Sequence, residues 1–143
     1  MSSYSLILAV CSRDEAEVQR LLDGGANINE RDCNGTSAFA VAASLGYMEI
    51  MQMLYARGVE IHLKDYLRGY TALGLAIEAG HNDTVAWLLL IGSDASIETY
   101  NGRNALSLAI RCRNTVAVDI ICDDYKRCFG TPSTTRRGVA VPQ

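Results

Sequence analysis

The chain has 143 residues, 49% of them apolar and 20% charged, with 13 basic against 16 acidic side chains. That composition is of the globular kind, and it excludes a helical membrane span: the densest apolar stretch, Trp87 to Ile91, falls far short of the ~18 residues a span needs. The net charge of −3 divides into −5 over residues 1–122 and +2 over residues 123–143, and an acidic body argues against nucleic acid as a partner.

The five cysteines (Cys11, Cys33, Cys112, Cys122, Cys128) are odd in number and scattered, which predicts free thiols rather than a disulfide framework. The first residues lack a basic segment followed by an apolar run and a small-residue cleavage site, so secretion is not expected. A reducing, cytoplasmic setting follows as the expectation, with the nucleus left open.

The chain repeats itself. Ala9, Ala42, Ala76 and Ala109 recur at intervals of 33, 34 and 33 residues, and Gly25, Gly58 and Gly92 at 33 and 34. Gly35, Gly69 and Gly102 recur at 34 and 33, which places one added residue within Tyr66-Leu67-Arg68. Three independent markers in one phase define a repeat array.

In chain order, the first unit (residues 1–31) holds an apolar helix around Ala9 and a second helix carrying Val18, Leu21 and Leu22. The second unit (32–64) opens on the turn Asp32-Cys33-Asn34-Gly35. Ser37 then caps a helix that ends at Gly46, and a second helix carries Ile50, Met51 and Leu54. The third unit (65–98) repeats this with Thr71, Gly80 and the helix of Val85, Leu88 and Leu89. The fourth (99–124) has Asn104 as cap and Val118, Ile121 and Cys122 on its second helix, but Arg113 where a glycine belongs. Serine, threonine and asparagine accept the unpaired amides of a first helical turn, glycine tolerates the left-handed residue that ends one, and i, i+3, i+4 spacing makes one apolar face. Residues 125–143 form a tail whose first part is expected to extend or cap the last helix, with Tyr125 and Phe129 covering the end of the stack. Beyond Gly130 no periodicity remains, and partial disorder is expected.

Thr71-Ala72-Leu73-Gly74-Leu75-Ala76, Gly80-His81 and Gly25-Ala26-Asn27-Ile28-Asn29 resemble the Thr-Pro-Leu-His-x-Ala, Gly-His and Gly-Ala-Asp-Val-Asn elements of the ankyrin repeat, over about residues 4–122. The resemblance implies an all-α solenoid of stacked helix-turn-helix units joined by short hairpin-like turns. It also implies a non-enzymatic module that binds another protein. Ala38, Ala72 and Ala105 replace the family's proline, and Ala40, Gly74 and Ser107 its histidine. Gly74 within a helix costs about 1 kcal/mol relative to alanine.

Chemical sites are not expected. His81 is placed to tie neighbouring loops through its ring nitrogens, and neither histidine has metal-ligand spacing around it. Cys112 lies beside Arg111 and Arg113 but has no base in register. The glycines are spread one per marker, with no phosphate-binding cluster. No cofactor or metal is expected. Trp87 is expected between repeats, with Leu90 and Ile91 covering the adjacent linker.

The family binds partners on its concave face, through turn tips and the exposed side of each first helix. Transferred position by position, this gives Tyr66, Leu67, Arg68, Tyr70, Glu78, Tyr100, Arg103 and Arg111 as the partner strip. Tyrosine and arginine dominate it, on an otherwise acidic chain, so the ligand expected is an acidic or mixed peptide segment docked across units 3 and 4 by a monomer. The alternative is an assembly subunit that self-associates or docks through its terminal repeats.

Overall fold

A computed structural model describes residues 5–129, with side chains for residues 6–127. Those residues form α1 (Ser5–Cys11), α2 (Glu15–Asp23), α3 (Ala38–Leu45), α4 (Met48–Ala56), α5 (Ala72–Ala79), α6 (Asn82–Leu90), α7 (Ala105–Arg111) and α8 (Thr115–Phe129). Each unit is an antiparallel pair. The odd-numbered helices stack in one row, α1 on α3 on α5 on α7, and in the other row α2 packs on α4 and α6 on α8.

The repeating alanine explains how closely the inner row packs. Ala42, Ala76 and Ala109 are fully buried, and Ala9 nearly so, each leaving room for the neighbouring helix. Phe39, Leu73, Ile77, Ile50, Met51, Leu54 and Leu88 fill the core between the rows. The seam between α4 and α6 is closed by rings: Trp87 meets Tyr55 edge-on at 5.7 Å and Phe39 at 6.3 Å, as expected for a tryptophan between repeats. Ile91 packs on the core, whereas Leu90 stands 70% exposed, little of it covered by the adjacent linker or any other described residue.

The helix ends follow the sequence. Amides of Ala40, Gly74 and Ser107 donate to the side-chain oxygens of Ser37, Thr71 and Asn104 at 3.2, 3.4 and 2.9 Å. Gly46 and Gly80 end α3 and α5 with φ of 75° and 81°. At the corresponding places in the outer units stand Arg13 and Arg113, forced to φ 56° and 57°. That conformation costs a non-glycine residue about 1–2 kcal/mol, part of which glycine's larger unfolded-state entropy offsets. The guanidinium of Arg113 has no ion pair among the described residues. Arg113→Gly is therefore expected to raise stability by about 0.5–1 kcal/mol, read as a higher urea midpoint at unchanged slope.

α8 continues to Phe129, so residues 125–129 extend the last helix, one of the expectations for the start of the tail. Tyr125 is 57% exposed and does not seal the end of the stack. The expected disorder past Gly130 concerns residues outside those described.

Loops are tied by other residues than expected. The ring of His81 rests against Gly46, where a Cβ would lie 2.8 Å from Nδ1, and makes no hydrogen bond among the described residues. The tie is made instead by Asn114, its equivalent one unit later, whose Nδ2 donates to Asn82 Oδ1 at 2.8 Å and to the Ile77 carbonyl at 3.4 Å. Between linkers, Glu60 N–H donates to Asn29 Oδ1 at 2.9 Å, and Asp94 N–H donates to His62 Nε2 at 3.2 Å. The second bond requires the neutral imidazole with its proton on Nδ1.

Candidate protein-binding surface

Each turn between units projects as a finger closed at its base by one side chain. In unit 2, Asp32 Oδ1 accepts the amides of Asn34 and Thr36 at 2.8 and 3.1 Å. In unit 3, the buried Asp65 accepts those of Arg68 and Gly69 at 2.8 and 2.9 Å. The added residue is thus looped out between an aspartate and an arginine that would otherwise be one residue closer. Tyr66 and Leu67 protrude as a result, 57% and 69% exposed. In unit 4 the base is Thr99, whose hydroxyl accepts from Arg103 N–H at 3.2 Å.

The fingers also bind one another. Tyr66 N–H donates to the Asn34 carbonyl at 2.8 Å and Tyr100 N–H to the Arg68 carbonyl at 3.0 Å. The Tyr100 hydroxyl reaches back to the Asp65 carbonyl at 3.0 Å. Each tyrosine ring packs against the glycine of the finger before it, Tyr66 on Gly35 and Tyr100 on Gly69, where a Cβ would come within 2.4 and 2.8 Å of ring carbons. Arg31 and Lys64 approach the two rings to 5.0 and 5.5 Å, cations over aromatic faces.

Three of the expected strip residues form one cluster. The Arg68 guanidinium grips Glu78 with two bonds of 2.9 and 3.1 Å and lies 4.0 Å over the Tyr70 ring. The Tyr70 hydroxyl donates to Glu78 Oε2 at 3.3 Å. The paired carboxylate raises the pKa of Arg68, and burial raises that of Tyr70, so the hydroxyl keeps the proton it donates. The exposed ion pair itself contributes little stability; it fixes the arginine in place.

Tyr70 therefore differs from its expected role at a turn tip. Only 9% exposed, its ring covers Gly74, and it cannot offer that ring to a partner. A Cβ at Gly74 would meet the end of Leu108 at 3.3 Å and the Tyr70 ring at 3.4 Å, a close but not forbidding fit. Arg68 and Glu78 neutralise each other. Arg103, half-buried, and Arg111, exposed, have no ion pair among the described residues. Tyr100 is 60% exposed. The strip as built offers Tyr66, Leu67 and Tyr100 as apolar contacts and Arg103 and Arg111 as cations. The stacking of fingers was missed from sequence; its signal is a tyrosine following Asp65 and Thr99, paired with a basic residue (Arg31, Lys64) one unit earlier.

Among the described residues no group of three or more His, Cys, Asp or Glu is placed to hold a metal. Cys11, Cys33, Cys112 and Cys122 are free thiols. No helix among the described residues is long and apolar enough to cross a membrane.

Stacked helix pairs with projecting, mutually bonded fingers define a repeat solenoid whose surfaces suit extended contact with another macromolecule. The family model for ankyrin repeats (3 copies) matches residues 2–65 and 61–129, and the chain belongs to the ankyrin-repeat family, typically a protein-interaction module. It is 35% identical over 107 residues to an ankyrin repeat-containing protein of Treponema pallidum (74% of this chain, 36% of the relative). It is 32% identical to protein PhlB of Serratia liquefaciens (72% and 45%) and 32% identical to the mouse B-cell lymphoma 3 protein homolog (71% and 24%). The chain thus spans less than half the length of these relatives.

Proposed function

We propose that the chain is a non-enzymatic adaptor or competitor, acting in the cytoplasm, that binds an acidic or mixed segment of another protein across units 3 and 4. The observation that carries this reading is the lengthened finger. Asp65 pins its base, Tyr66 and Tyr100 flank it, and Leu67 stands 69% exposed at its tip, with Arg103 and Arg111 alongside. An aromatic and aliphatic centre rimmed by arginines is the composition of an interface hot spot. Tyr70 belongs to the support of this surface.

The test begins with capture of a partner from native cells and continues by titrating that partner against defined variants. Leu67→Asp, and separately Arg103→Ala with Arg111→Ala, are expected to weaken binding roughly tenfold or more while leaving the helical signal intact. A partner that binds all variants as tightly as the parent refutes the reading.

A second reading, assembly through the ends, draws on Leu8 in unit 1 and on Ile110 and Val116 in unit 4, which are 57%, 61% and 51% exposed. Light scattering after size exclusion separates the two: a monomer favours the adaptor, a dimer the subunit.

A further inference from the structure

The joins between fingers repeat one arrangement, and no described residue completes its last copy. In each completed join the upstream finger supplies a glycine with positive φ, a free carbonyl just before it, and a basic side chain at its entry. The downstream finger supplies a tyrosine that lies on the glycine and donates its N–H to the carbonyl.

Unit 4 carries the upstream half again. Gly102 has φ 77°, against 78° and 75° at Gly35 and Gly69. No described residue comes within 4 Å of where its Cβ would lie, and the Asn101 carbonyl accepts no bond from a described residue. One member changes in kind: the exposed Glu98 stands where Arg31 and Lys64 stand in the earlier units.

We propose that this end finger docks an extended segment of another protein through an arginine. Its guanidinium lies over Gly102 against the Glu98 carboxylate, and its backbone N–H donates to the Asn101 carbonyl. Continuity with the two completed joins supplies the backbone half, since the same donor–carbonyl pairing is extended by one step. The charge supplies the side chain. A carboxylate at the entry of the finger, in the register position of Arg31 and Lys64, repels the negative face of an aromatic ring but pairs with a cation. Only arginine is both flat enough to lie on a bare glycine backbone and able to meet a carboxylate with two donors. The site shares the fourth finger with Tyr100 and Arg103 of the concave strip, but it uses Glu98, Asn101 and Gly102, so variants at those positions and at Leu67 or Arg111 test the two readings separately.

The experiment titrates the isotopically labelled full chain with the capped peptide Ser-Gly-Arg-Asn-Gly-Ser and with its Tyr and Lys counterparts, following amide resonances. Gly102 and Asn101 are expected to shift saturably with the Arg peptide, roughly tenfold more tightly than with either counterpart. Glu98→Lys, an exposed change that leaves the fold intact, is expected to invert the order and favour the Tyr peptide, recreating the Lys64–Tyr100 pairing. Gly102→Ala is expected to abolish the response. Equal shifts with all three peptides, or an arginine preference that survives Glu98→Lys, overturns the proposal. Binding that appears only after Arg136→Ala and Arg137→Ala overturns it also, by assigning the site to the chain's own tail. Failure of the concave-strip reading would show separately, in the Leu67 and Arg111 variants.

Discussion

Phe39→Ala is expected to remove about 3–5 kcal/mol of stability, a large part of the 5–15 kcal/mol that a domain of this kind has. Phe39 is 1% exposed on α3, the helix that packs on α1, α4 and α5 together, and its ring abuts Trp87 of the next unit. Truncation thus leaves a cavity at the meeting of two units rather than inside one. In a repeat array, stability is roughly the sum of unit terms and nearest-neighbour interface terms. Loss at the junction of units 2 and 3 is expected to lower the urea midpoint of the helical dichroism and to broaden or split the transition. Phe39→Leu, which keeps most of the volume, is expected to lose less than about 1.5 kcal/mol. A loss below about 1 kcal/mol in the alanine variant would contradict the central place given to this ring.

The second large effect is expected at Asp65. Its carboxylate holds the amides of Arg68 and Gly69, and the latter is buried. Asp65→Ala leaves both donors without their acceptor, which is expected to cost about 2–3 kcal/mol. Asp65→Asn keeps an acceptor oxygen without the charge and is expected to cost about half as much. Chemical denaturation checks the stability. The same variants test the surface: with its base released, the finger no longer fixes Leu67, and partner affinity is expected to fall even at temperatures where the protein remains folded. Alanine and asparagine variants of equal stability would remove the carboxylate from this role.

The array was legible in the sequence because its causes are local and repeated. Alanine, glycine and capping residues each answer to the backbone within a turn or two, and three such markers in phase leave little freedom in the fold. Ser37, Thr71 and Asn104 cap the helices expected of them. What sequence did not disclose depends on neighbours one unit away. His81 and Asn114 occupy one register position, yet only the amide hydrogen-bonds across the loops, the imidazole lying against Gly46 instead. Tyr70 sits beside a turn tip in sequence, yet its ring is buried and packs beside Gly74 of α5. Likewise Arg68 and Tyr66 look like free contact residues in sequence, and the structure gives the first to Glu78 and the second partly to Gly35.

The ring-filled seam between the second and third units has an optical consequence. Trp87 is the chain's sole tryptophan, and it bridges the outer helices of those units by touching Tyr55 on one and sitting on the other. Bending between units 2 and 3 that opens or closes the concave side changes the spacing across this seam. The indole therefore reports curvature from within the native sequence, and its emission reads the shape of the binding face without a label.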